Sequence, residues 1–256
     1  MNSIATLLAQ KPKQVLSIYF TSGFPQLNDT TRVIQELGAS GVDFVEVGLP
    51  YSDPLADGPT IQDSSTQALK NGINLDIVFD QLVSIKESNT TPLVIMGYLN
   101  QVIKYGEHKF CEKVVACGID TVILPDLPMV EYENHYKALF DHYGINNVFL
   151  ITPHTSEERI RKIDNYTQSF IYMVASSSIT GAKGEISEQQ IDYFERIKGM
   201  NLKSPLIIGF GISNHQTFSK ACDYAKGAII GSAFIKHLDE KGVDSISEFT
   251  KSILEA

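Results

Sequence analysis

Cysteine is scarce in this chain. Its three cysteines, Cys111, Cys117 and Cys222, are odd in number and match no C-x-x-C or zinc spacing. That excludes a disulfide framework and leaves reduced, buried small residues of a cytoplasmic protein. Tryptophan is absent altogether. Basic residues are outnumbered, with 21 Lys and Arg against 30 Asp and Glu and a formal charge of −9. Non-specific nucleic-acid binding needs a basic face to neutralise phosphates, so that class is excluded. No apolar run approaches the roughly 18 residues of a membrane helix, and residues 1–15 lack the apolar region of a signal peptide. The expectation is a soluble, cytoplasmic protein. The six histidines fall in no H-E-x-x-H or other ligand spacing, and no metal site is expected. Linkers rich in Pro, Ser or Gly are missing too, so residues 1–256 read as one domain.

What is present is ordinary globular composition, 43% hydrophobic and 20% charged, which excludes disorder and collagen. Short apolar runs recur at 15–20, 44–48, 93–97, 121–124, 147–151, 170–175, 206–209 and 228–230. Most lack alternation, as strands buried on both faces of a parallel sheet do. Helical patterns separate them at intervals of roughly 20–35 residues, apart from a longer second connection. Eight strand–helix units point to an α/β fold, a single-domain (β/α)8 TIM barrel, with a doubly wound open sheet as the alternative. A short N-terminal helix over 4–9 is expected to cover the barrel bottom. Asn28-Asp29-Thr30 is expected to cap a helix over 31–38 that Gly38 ends. Ser156 and Ser187, each followed by Glu, open two further helices.

Two loops stand out. The second connection reads Leu49-Pro50-Tyr51-Ser52-Asp53-Pro54-Leu55-Ala56-Asp57-Gly58-Pro59, and its prolines hold helix off until about Thr60. Long loops in compact domains are more often functional than idle. Residues 176–185, rich in Ser and Gly, read as a lid.

Glu46 sits between Val45 and Val47 in the second strand. A carboxylate amid apolar strand residues needs a partner or a task. If Phe44 and Glu46 point into the barrel, Glu46 lies near the strand's C-terminal end, where active sites of this fold form. The bland alternative is a structural carboxylate that accepts bonds from nearby backbone. Asp57, before Gly58, and Asp53, before Pro54, are turn formers when taken alone. Asp57 beside a buried Glu would give two carboxylates able to divide acid and base work. Gly209-Phe210-Gly211 after the seventh strand, Gly231-Ser232 after the eighth and Thr180-Gly181 after the sixth suit a phosphate site, or simple tight turns. Tyr19, Tyr98, Tyr172 and Phe210 fall at strand ends, where they can line the mouth or pack in the core.

The stretch Phe44-Val45-Glu46-Val47-Gly48 is followed by Pro50-Tyr51-Ser52-Asp53-Pro54-Leu55-Ala56-Asp57-Gly58-Pro59-Thr60-Ile61-Gln62. Then come Met96-Gly97-Tyr98-Leu99-Asn100, Pro125-Asp126-Leu127-Pro128, Ile179-Thr180-Gly181, Gly209-Phe210-Gly211-Ile212-Ser213 and Gly231-Ser232-Ala233. In this order, from Tyr19 to about Lys236, the chain resembles the tryptophan synthase alpha chain family. The resemblance implies a (β/α)8 barrel that cleaves indole-3-glycerol phosphate to indole and glyceraldehyde 3-phosphate. It implies an α2β2 complex in which a beta chain, carrying pyridoxal phosphate, joins indole to serine. It implies no cofactor, metal or Schiff-base lysine in this chain.

By match to the family's motifs, Glu46 and Asp57 are the catalytic pair, and Gly181, Gly211, Gly231 and Ser232 hold phosphate. Tyr172 matches a tyrosine of the site, and Tyr19 stands where many members have Phe against the indole. Asp53 and Pro54 match positions facing the beta chain, with Asn100 near them. One departure is that Ser176 and Ser178 stand where many members place Arg and Gly; Thr180-Gly181 is kept, and lid closure is expected to survive. A stand-alone lyase and a catalytically weak regulatory subunit are the alternatives. Retention of both carboxylates disfavours the regulator, and Asp53-Pro54 favours the complex.

Overall fold

Eight parallel strands close on themselves in chain order in the computed structural model, which describes residues 3–54, 56–175 and 186–255. They are β1 (Val15–Thr21), β2 (Phe44–Gly48), β3 (Leu93–Met96), β4 (Thr121–Ile123), β5 (Asn146–Ile151), β6 (Ile171–Val174), β7 (Leu206–Gly209) and β8 (Gly227–Ile230). The expected barrel is present, and the open sheet is not. Strand ends differ from the apolar runs by a residue or so, because pairing with the neighbour sets them rather than hydrophobicity. The ring closes where β8 pairs with β1, from Val15 opposite Gly227 to Ile18 opposite Ile230. A Cβ on Gly227 would lie 1.9 Å from the Val15 carbonyl oxygen, so only glycine fits this seam.

Strand alternation sorts the apolar residues into two cores. Leu16, Ile18, Val45, Val47 and Ile95 point outward and pack under the surrounding helices. Val15, Tyr19, Phe44, Val94, Met96, Phe170, Tyr172 and Ile207 point inward and fill the barrel. Phe44 and Phe170 meet across the interior with ring centroids 5.7 Å apart. The helix Ser3–Gln10 adds Ile4 and Leu8 to this inner core, so it plugs the bottom as expected. Each such buried side chain contributes about 1.5–3 kcal/mol. The plug is pinned at both ends: Ser3 N–H donates to Asp120 at 2.8 Å, and Lys11 pairs with Asp43 at 2.7 Å. With the bottom closed, the C-terminal mouth is the end left for a ligand.

Two expectations about the second helix are corrected. It spans Thr30–Ala39, and Asp29 makes no cap with its side chain, which instead accepts Gln26 N–H at 3.2 Å to close the preceding turn. Gly38 lies within the helix rather than ending it. A Cβ there would sit 2.3 Å from Thr91 Oγ1, so the glycine admits a close neighbour. Ser156 and Ser187 do cap their helices, accepting the N–H groups of Arg159 and Gln190. After β2, Pro59 opens the helix Pro59–Lys70, where its missing N–H costs nothing. The turn Tyr132–Tyr136 winds as a π-helix and buries Tyr132 and Tyr136, a feature no pattern foretold. The three cysteines are buried and free, and among the described residues no helix is long and apolar enough to cross a membrane.

Candidate active site

The β2 register aims Glu46 into the barrel, opposite Tyr19 of β1 and Val94 of β3. Its side chain is 0% exposed, and among the described residues neither carboxyl oxygen has a hydrogen-bond partner. The structural alternative, a carboxylate satisfied by backbone, is therefore not what the fold contains. Burial alone pushes the Glu46 carboxyl up to about 8, so it is mostly a neutral acid at pH 7.

Asp57 arrives from the loop after β2. The loop starts in the ladder, with Leu49 N–H on Met96 O at 2.8 Å. It turns where Asp57 N–H meets Pro54 O at 3.0 Å, and Gln62 Nε2 holds the Asp57 carbonyl at 2.8 Å. Among the described residues the Asp57 side chain bonds Tyr98 rather than its own turn. Its Oδ2 accepts the Tyr98 hydroxyl at 2.7 Å, Oδ1 has no partner among the described residues, and the residue is 4% exposed. Burial raises the carboxyl to about 6, against the lowering effect of the Tyr98 bond. Two carboxyls at one barrel end thus stand on opposite sides of neutrality.

Tyrosines wall this end, and glycines make room for them. A Cβ on Gly48 would lie 2.2 Å from the Tyr19 hydroxyl, and one on Gly209 would lie 2.0 Å from that of Tyr172. Tyr19 leans from β1 over β2, toward the Asp57 loop, while Tyr172 leans from β6 over β7. Burial and the charges of Glu46 and Asp57 push both phenols far up, so they stay protonated donors. Phe210 sits edge-on to Tyr172 with centroids 6.2 Å apart. It takes a left-handed φ of 66°, followed by Gly211 at 82°, which turns the chain sharply off β7 and leaves Gly211 exposed. Past β8, Gly231 is the N-cap of the helix Ser232–Lys241, which has no side-chain cap. The first-turn N–H groups of such a helix have no partner within it, and Ser232 is exposed beside them.

The structure brings Glu46, Asp57, Tyr19, Tyr98, Tyr172, Phe210, Gly211, Gly231 and Ser232 to the same mouth, where Phe210 meets Tyr172 and a Cβ on Gly231 would lie 3.5 Å from Tyr19. Thr180 and Gly181, with Ser176, Ser178 and the rest of the expected lid, lie outside the described residues. Asp53 and Asn100 are elsewhere: both are exposed and line an outer groove of about 380 Å³ with Tyr51 and Lys104. Pro54, next to Asp53, is buried. Among the described residues no cluster of His, Cys, Asp and Glu could hold a metal ion. Sequence reasoning missed Gln62 and Gln101, whose amides brace the Asp57 loop. Gln101 is the third residue of a helix, a position where Gln caps backbone, and that signal could have found it.

The family model for the tryptophan synthase alpha chain matches residues 5–255. This chain belongs to the tryptophan synthase alpha chain family. A tryptophan synthase alpha chain of Flavobacterium johnsoniae is 58% identical over 253 residues, which are 99% of this chain and 100% of that one. Another, from Bacteroides thetaiotaomicron, is 52% identical over 241 residues, 94% of each chain. Among solved structures, a chain of Mycobacterium tuberculosis tryptophan synthase superposes with a TM-score of 0.89 at 27% identity, covering 98% of this chain and 96% of that one. The tryptophan synthase alpha subunit of Pyrococcus furiosus superposes with a TM-score of 0.87 at 31% identity, covering 94% and 98%. The tryptophan synthase alpha chain family is thus matched along the whole barrel, both rims of the mouth included.

Proposed function

We infer that this chain is the lyase subunit of tryptophan synthase, cleaving indole-3-glycerol phosphate to indole and glyceraldehyde 3-phosphate and passing indole to a beta chain for L-tryptophan synthesis. The observation that carries the reading is the buried Glu46, without a hydrogen-bond partner among the described residues, in the same mouth as the ionisable Asp57. The chain needs no cofactor of its own, and pyridoxal phosphate belongs to the beta chain.

Indole can leave from C3 only after that carbon is protonated. Glu46, neutral at pH 7, supplies the proton. The indolenine that forms carries positive charge on its ring nitrogen, and ionised Asp57 stabilises it. Glu46, now a carboxylate, takes the proton of the side-chain hydroxyl. As the C–C bond breaks, its electron pair returns to the ring and the aldehyde of glyceraldehyde 3-phosphate forms. General acid–base roles of this kind are worth about 10²–10⁴-fold each. Tyr98 fixes Asp57, while Tyr19, Tyr172 and Phe210 flank the ring and the glycerol chain. Gly211, Gly231 and Ser232, with Thr180 and Gly181, offer the phosphate N–H groups and hydroxyls rather than a basic cluster.

Asp53, Pro54 and Asn100 face the beta chain. They belong to or adjoin the loop that carries Asp57, so a partner bearing on this rim acts on the catalytic side of the mouth. On this reading the enzyme works in the cytoplasm, and its buried free cysteines suit a reducing compartment. The deciding assay is indole release from indole-3-glycerol phosphate, with and without a beta chain. Release that the beta chain accelerates is the expected result. No release under either condition would overturn the reading, and full activity unchanged by the partner would favour a stand-alone lyase.

A further inference from the structure

Gln101 is a buried residue in the first turn of the helix Leu99–Tyr105. Its amide bonds two different segments. Oε1 accepts the Tyr98 N–H at 2.9 Å, the ordinary way a Gln at this position caps its own helix. Nε2 does something else: it donates to the Pro50 carbonyl at 2.9 Å, at the start of the loop that carries Asp57. The end of that loop is held by Tyr98 itself. The Tyr98 hydroxyl accepts the Ala56 N–H at 3.1 Å and donates to Asp57 Oδ2 at 2.7 Å.

These contacts form a closed ring. Gln101 ties the loop's first residues to the backbone of Tyr98, and the Tyr98 side chain ties down its last ones. Space for the amide is provided by Gly97, where a Cβ would come within 3.1 Å of Gln101 Oε1. From outside, the Tyr51 ring stacks on Tyr98 at 5.1 Å and Asn100 Nδ2 donates to the Tyr51 hydroxyl at 2.8 Å. The phenol that meets Asp57 is therefore located by its ring on one side and by Gln101 at its backbone.

We propose that Gln101 is a positioning residue for the lyase reaction: by closing this ring of hydrogen bonds it sets where Tyr98 presents its hydroxyl to Asp57, and hence where Asp57 meets the substrate. The proposal rests on the role given to Asp57 above. Displacements of about 1 Å at a reacting group can cost as much as 10²-fold in rate, so a residue that touches no substrate can still matter to turnover.

The test is Gln101→Met, which keeps length and loses donor and acceptor. The expected fall in kcat is about three- to tenfold, the scale of one lost net hydrogen bond. KM and the affinity for glycerol 3-phosphate stay unchanged, because the Gln101 amide bonds Tyr98 and Pro50 and not the turns after β7 and β8 that hold the phosphate. In the ligand-free variant, the Asp57 carboxyl followed by carbon-13 NMR titrates at higher pH than in wild type. In a Tyr98→Phe background the same substitution adds less than about twofold, since both act on one contact. Unchanged kcat and unchanged Asp57 titration would overturn the proposal, and so would losses that multiply in the double variant. If Gln101→Met does not fold, Gln101→Glu is read the same way, since it keeps the Tyr98 contact but sets an acceptor against Pro50. Failure of both to fold would assign the amide to stability instead. A wild-type chain without lyase activity would remove the proposed function, leaving the Asp57 titration to decide about Gln101.

Discussion

Replacing Glu46 by glutamine separates two effects of one buried carboxyl. The wild-type group is raised from 4.5 to about 8, so the folded chain keeps a proton that the unfolded chain releases. Between those values the folded state binds more protons, and stability falls as pH rises, levelling off above 8. The penalty comes to about 1 kcal/mol at pH 5, about 3 at pH 7 and about 5 above pH 9. Glutamine has the same shape and no charge, so the variant escapes this cost while its amide replaces a protonated acid that also lacked partners. Glu46→Gln is therefore expected to be more stable than wild type by a margin that grows from about 1 to about 3 kcal/mol between pH 5 and 7. In a chain of this size that margin is a rise in Tm of roughly 5–10 °C at pH 7. Thermal and urea denaturation at several pH values, followed by far-UV circular dichroism, measure it. The same variant should lose at least about 10²-fold in kcat while glycerol 3-phosphate still binds. A stability difference that does not change with pH would refute the reasoning, because Glu46 would then not be an uncompensated buried acid.

The rate at limiting substrate should follow a bell, rising as Asp57 ionises near pH 6 and falling as Glu46 ionises near pH 8. Tyr98→Phe removes the bond that favours the Asp57 carboxylate, so its acid limb should move to higher pH; an unmoved limb would detach Tyr98 from Asp57. Gly231→Ala meets only ordinary contacts of 3.5 Å in the protein, so Tm should hold while affinity for glycerol 3-phosphate, measured by calorimetry, drops. Gly38→Ala should destabilise by about 1–3 kcal/mol through its clash with Thr91 Oγ1, and Thr91→Ala should restore most of the loss in denaturation experiments.

The barrel was legible because its strands are short, apolar on both faces and regularly spaced. The inward aim of Glu46 followed from strand alternation alone. Its lack of a partner among the described residues did not, since that depends on what eight strands jointly present to one point. The Asp57 environment was hidden for the same reason: Tyr98 lies 41 positions away and reaches it through a phenol. Gly38 was misread because a glycine near a helix end suggests a cap, whereas Thr91, distant in sequence, was what required it. The π-helix at Tyr132–Tyr136, which buries both tyrosines, left no local trace in the sequence.

The seam between β1 and β8 bears on how the chain is made. β1 is the first strand to leave the ribosome, and the edge that β8 will cover stays unpaired until Gly227–Ile230 is synthesised. An open strand edge is a template for pairing with other chains. The nascent polypeptide therefore carries its aggregation hazard through most of its synthesis, and the last strand removes it in the act of sealing the barrel. Any stall or truncation before Gly227 leaves a chain that holds Glu46 and Asp57 yet has no closed wall around them.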